Sequence, residues 1–170
     1  MEQQLTVQRA AMRGGLVLGL GLCLMTVLLS TFDMVGNQWA STLISIVLWV
    51  GVLYWSMNEY KQANEGIMLL KQGFTIGTLA VIIGTIISMA FLFIYANYID
   101  PGYWDSAMEL GRQRMEDQGM SEEQIDTAME QASGFMWVGI VFGIIFSIIL
   151  GMIVSVIMAA ILQKKPEGHA

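Results

Sequence analysis

The chain has 170 residues, of which 55% are hydrophobic and only 13% charged, with a formal net charge of -6. Ordinary soluble domains hold ~45 to 50% apolar residues, so this content and a mean hydropathy of +0.61 exclude that class and point to one membrane domain. The acidic residues are too unevenly placed for the net charge to name a partner, and the lone Cys23, inside an apolar run, excludes an intrachain disulfide.

A polar head carrying Arg9 and Arg13 precedes the first apolar run, about residues 14–32. That run is too long for a signal core and has no small-x-small cleavage site before Asp33, so it reads as a retained first span. Ala11, Gly15, Gly19 and Cys23 recur every fourth position, a spacing that lets helices pack closely in lipid. The connection at 33–38 is short enough to make the second span, about 39–57, the other arm of a helical hairpin. Residues 58–73 mix Glu59, Lys61, Glu65 and Lys71 with the apolar patch Ile67 to Leu70. Part of this segment is expected to lie along the membrane surface, or else to begin the next helix early. The third span, about 74–98, places Gly73 and Gly77 at GxxxG spacing, with Ala80, Gly84 and Ser88 on a second row. Thr78 and Thr85 can satisfy themselves on carbonyls one turn back.

Residues 99–134 are the only soluble-like portion. Asp100 before Pro101 has the form of a helix cap followed by proline at the first helical position. Trp104, Met108, Gly111 and Met115 then recur at helical spacing, Gly119 reads as a stop, and Ser121 with Gln124 forms a capping box for a second short helix. This extramembrane segment, about 101–132, should be two amphipathic helices folded together or laid on the bundle. Glu122, Asp126 and Glu130 form an acidic row on the second, read as a solvated face with a possible contact or cation role in second place.

The last span, about 135–162, has no charged residue and extends for ~42 Å, more than the ~30 Å hydrocarbon core. Small residues recur along it at Gly139, Gly143, Ser147, Gly151, Ser155 and Ala159. This makes it the expected packing spine of a four-helix, all-α membrane bundle. Steps of four drift by ~40° each, so the ladder is expected to serve two neighbours, Gly139 and Gly143 meeting one and Gly151 and Ser155 another. The first helix, with Gly15 and Gly19, and the third, with Gly77 and Gly84, are the expected partners. Lys164, Lys165 and Pro166 end the span.

Lysine and arginine counts set orientation. Two fall in each of the N-terminal head, the 58–73 segment and the C-terminal tail, whereas Arg112 and Arg114 are offset by nine carboxylates between residues 100 and 130. Both termini are therefore expected to be cytoplasmic. Trp39, Tyr95, Tyr98, Trp104 and Trp137 would mark one interface, with Trp55 and Tyr60 at the other.

No span carries an ionisable residue in its central region, which argues against ion-coupled transport. His169 has no companion for a metal or catalytic pair, and Ser147 and Ser155 have no base nearby in the sequence. No catalytic residue, metal ligand or cofactor is assigned. The expected role is a non-catalytic structural or accessory subunit, with an oligomeric transporter or pore component as the alternative and an envelope-lipid enzyme third. Membrane lipids and a protein partner or second copy are the expected partners, with no nucleic acid.

Two passages carry a family resemblance: Gly66-Ile67-Met68-Leu69-Leu70-Lys71-Gln72-Gly73-Phe74, continuing to Gly77, and Tyr98-Ile99-Asp100-Pro101-Gly102-Tyr103. With the charged short helices and the last span before Lys164-Lys165, the chain resembles the domain of unknown function 4199 family of small bacterial membrane proteins, found largely in Bacteroidetes. The resemblance implies the fold and an inner-membrane location and supplies no reaction.

Overall fold

A computed structural model describes residues 5–32 and 38–165; the 33–37 connection, Pro166 and His169 lie outside the described residues, as does the side chain of Trp39. Among the described residues six α-helices run in order: α1 Val7–Thr31, α2 Gln38–Ala63, α3 Leu70–Ile94, α4 Tyr103–Asp117, α5 Glu122–Gly134 and α6 Met136–Leu162. A π-helical turn, Tyr95–Ile99, prolongs α3. Four of these helices are long and apolar enough to cross a membrane, and the chain is an all-α, four-span bundle with a helical hairpin between the third and fourth spans.

The helices overrun the apolar stretches at the end of the bundle that holds both termini. Thr6 caps α1 by accepting from the backbone N–H of Arg9 at 3.3 Å, so helix begins seven residues before the apolar run does. At the other side α2 continues through Glu59 and Lys61 to Ala63. The segment expected along the membrane surface is instead helix followed by a tight turn, and α3 begins at Leu70, four residues earlier than the apolar run. Glu65 (φ 55°) and Gly66 (φ 75°) both take the left-handed conformation that reverses the chain, and the Gly66 N–H closes on the Lys61 carbonyl at 2.9 Å.

This turn is bound to both chain ends. The Asn64 side-chain amide donates to the Leu5 carbonyl at 3.2 Å and to the Tyr60 carbonyl at 2.8 Å. Met68, fully buried, exchanges two backbone bonds with Lys164, at 3.1 and 2.8 Å, as one antiparallel bridge. Backbone bonds that α6 can no longer supply to itself past its end are thus made across to the α2–α3 turn.

The main packed cluster lies toward this end. Leu18, Leu53, Met57, Ile76, Val81 and Ala159 belong to one buried cluster, drawn from the first part of α1 and α3 and the last part of α2 and α6. At the hairpin end α1 stays against α3, but α6 leaves the bundle.

The helix at the centre is α3, not α6. It packs on α1, α2 and α6, and 33% of its most apolar stretch is buried against 11% for α6. In lipid, where apolar residues gain little by leaving the acyl chains, the helix offering the closest backbone approach to the most neighbours organises the bundle. Length and apolarity, which single out α6 in the sequence, measure fitness for lipid instead.

Candidate functional site

The small residues form two seams on α3. In the first, α1 and α3 run parallel: an added Cβ would lie 2.6 Å from Ile83 at Gly15, 2.7 Å from Ile87 at Gly19, and 3.0 Å from Leu18 at Gly84. Each glycine receives a branched side chain of the facing helix. The second seam is antiparallel, and size is complementary along it: Gly73 faces Ala159, Gly77 faces Ser155, and Val81 faces Gly151. Ser155 is fully buried and donates to the Gly151 carbonyl at 2.7 Å, so its hydroxyl is satisfied within its own helix. Trp49 of α2 closes over Gly151, 3.0 Å from the position of an added Cβ.

Beyond Gly151 the second seam opens. Gly139 and Gly143 have nothing within 4 Å, so the part of the ladder expected to meet another helix meets none of the described residues. At four-residue spacing the α3 row that starts against α6 runs Gly73, Gly77, Val81, Thr85, Met89 and Phe93, and its last two members line a cleft instead of closing on a small residue of α6. Two clefts flank the departing α6. One, of about 540 Å³, lies against α2 and includes Thr42, Ser45, Trp49, Phe146 and Ser147 in its lining. The other, of about 360 Å³, lies against α3 and is roofed by Trp104 and Trp137. Ser147 donates to the Ile144 carbonyl at 2.9 Å and lines the cleft against α2.

The polar head and the 58–73 segment, separate in the sequence, meet. Arg13 donates to a Glu59 carboxylate oxygen across α1 and α2, while the other Glu59 oxygen is buried without a partner among the described residues. The sequence reading misses this pair because both helices extend past their apolar stretches. The Ser56 hydroxyl, fully buried, also ties the two helices by donating to the Ala10 carbonyl at 2.9 Å.

At the opposite end the π-turn gives Asp100 a different task from the cap expected of it. Its backbone N–H closes on the Tyr95 carbonyl at 2.8 Å, and its side chain accepts from the Ser30 hydroxyl of α1 at 3.2 Å. Gly102, not Asp100, precedes the first residue of α4. The widened turn brings Tyr95 and Tyr103 edge to face at 6.0 Å, and Tyr103 and Trp104 at 5.4 Å.

Burial, with lesser contributions from Tyr95 and Asp100, raises the Tyr103 phenol above its ordinary pKa of 10.0. A raised folded value stabilises the fold below the unfolded pKa, and that contribution is lost as pH climbs through the folded one. Stability should therefore fall above about pH 10, and less steeply in Tyr103→Phe. Unfolding midpoints of both proteins across that range would show equal slopes if Tyr103 were solvated.

The hairpin helices fold together, with Ile125 almost wholly buried between them. Gly119 (φ 79°) turns the chain, and the Ser121–Gln124 capping box forms as expected. Within the acidic row Asp126 meets Arg112 at 3.5 Å, while Glu122 and Glu130 remain exposed. Among the described residues no three His, Cys, Asp or Glu side chains gather to hold a metal.

Over residues 13–164 the chain matches a family model described as Protein of unknown function (DUF4199). The chain belongs to the DUF4199 family. No curated protein and no solved structure matches it. The matched span of this DUF4199 protein starts at Arg13 and ends at Lys164, so it holds the ion pair, both seams, the π-turn and the bridge to Met68.

Proposed function

We propose that this DUF4199 protein is a non-catalytic structural or accessory subunit of a bacterial inner membrane, acting through the hairpin-end half of α6 and the adjoining acidic hairpin. The observation that carries the reading is the contrast along one ladder. Gly151 and Ser155 are filled by α3, whereas Gly139 and Gly143 stand open on a helix that has left the bundle. Small residues at four-residue spacing suit the close approach of another transmembrane helix, and the exposed carboxylates above them suit a basic surface on the same partner. Purification of the full chain in mild detergent should bring down a different polypeptide, and Gly143→Leu should release it while leaving the fold intact. A chain that purifies alone, or a partner that survives this change, would remove the basis of the reading.

Orientation is part of the proposal. Lys61, Lys71, Lys164 and Lys165 lie at the termini end, and positive residues favour the cytoplasmic side. A reporter active only outside the cytoplasm should be silent after Lys165 and active at Gln118. The opposite pattern would invert the protein.

A further inference from the structure

We propose that the cleft between α3 and α6 takes one acyl chain of an amine-bearing phospholipid, entering sideways from the bilayer with its head beside the start of α4. This site is separate from the open face of Gly139 and Gly143, since Ile140 and Ile144, which line the cleft, point about 100° away around the helix.

Four features of the cleft select that occupant. Its volume, about 360 Å³, falls within the ~300–1,000 Å³ of small-ligand sites, and no charged side chain lines it. It lies between two membrane-crossing helices, so its open side faces hydrocarbon. Its lining is graded along the bundle axis: Met89 and Ile144 lie at the deep end, Trp104, Trp137 and Asn97 at the shallow end. Tryptophans at the level of lipid heads and apolar side chains below them match the polarity of a lipid from head to tail. From Met89 to Asn97 the helix rises ~12 Å, close to the ~15 Å that one leaflet contributes to the hydrocarbon core.

Charge chooses the head. Asp105 follows Trp104 on the first turn of α4 and is exposed, whereas Asp100 is engaged by Ser30 of α1. The nearest basic residue along this segment is Arg112, which is engaged by Glu116 and Asp126. The Asn97 amide nitrogen donates to the Phe93 carbonyl at 2.7 Å, leaving its oxygen as an acceptor at the shallow end. The Asp105 carboxylate and this acceptor favour an ammonium over a head that is only anionic.

The test uses the full chain in vesicles of equal phosphatidylethanolamine and phosphatidylglycerol, with a trace of either lipid carrying a photoreactive diazirine at mid-chain. Peptide mass spectrometry should find the ethanolamine probe on Met89, Leu92, Ile140 and Ile144 roughly tenfold more than on Leu20 and Leu24, which are exposed on α1; tenfold corresponds to about 1.4 kcal/mol. The glycerol probe should label the cleft less than the ethanolamine probe does. Equal labelling of cleft and α1 face by the ethanolamine probe would overturn the site, and equal labelling of the cleft by both probes would overturn the choice of head. Ile144→Trp should remove labelling at Met89 and Leu92 with an unchanged unfolding midpoint. Persistence of labelling in that folded variant would also overturn the proposal, and if the variant does not fold, the wild-type comparison decides. The measurement requires no protein partner, so its failure is distinct from that of the accessory reading.

Discussion

Gly77→Leu is expected to destabilise the isolated protein by about 3 kcal/mol, at the upper end of the cost of overpacking a close-packed interior. An added Cβ at Gly77 would meet the Ser155 side chain of α6, with Ser155 Cβ at 2.6 Å, and Met57 of α2 at 2.7 Å. Neither Ser155 nor Met57 has any exposed surface into which to turn, so α3 must move away from two helices together. The same change at Gly15, against Ile83, should separate α1 from α3 with comparable effect. Gly143→Leu enlarges a position with nothing within 4 Å and should leave the melting temperature where it is. The readout is thermal unfolding in detergent, where ~3 kcal/mol displaces the midpoint of a chain of this length by roughly 10 °C. Equal midpoints for Gly77→Leu and Gly143→Leu would mean that the seam is not as described.

The second large effect should come from Arg13 and Glu59. Removing one member leaves the other as an uncompensated charge at the edge of hydrocarbon, and removing both leaves none. Arg13→Leu is expected to cost about 2 kcal/mol, below the ~3–5 kcal/mol of a fully buried pair, because the Arg13 side chain is 57% exposed within the chain. Glu59→Leu should cost at least as much, since its carboxylate is the more enclosed partner at 28%. The double variant should be more stable than either single one. A double-mutant cycle by unfolding in detergent tests this, and strictly additive losses would show that the charges do not interact.

Hydropathy and spacing make the four spans, the hairpin, the stop at Gly119 and the Ser121 capping box legible in the sequence, because each depends on residues close together in the chain. Which helix is central is not legible in the same way. Gly139 and Gly143 have the same spacing as Gly151 and Ser155, and only what stands opposite decides which of them are packed: Val81 and Trp49 at Gly151, and nothing within 4 Å of an added Cβ at Gly139 or Gly143. The Arg13–Glu59 pair and the Asp100–Ser30 bond are hidden for a related reason. Their partners lie 46 and 70 residues apart, and the helix extensions and π-turn that bring them together are set by polar residues outside the apolar windows. The signal available for the ion pair was one opposite charge near the same end of each of two consecutive spans.

The parallel seam between α1 and α3 has a consequence for how the molecule is made. Glycines of α1 receive side chains that lie about 68 positions later, as Gly15 receives Ile83 and Gly19 receives Ile87, so the first helix emerges from the ribosome long before its main contact exists. At ~5–20 residues per second, α1 and α2 wait several seconds in the bilayer as a provisional pair. The arrival of α3 then converts independently inserted helices into a bundle, the second of the two stages by which helical membrane proteins assemble. During that wait the face of α1 carrying Gly15 and Gly19 is open to any other helix, and substitutions there should reduce the yield of assembled protein even where the finished bundle can tolerate them.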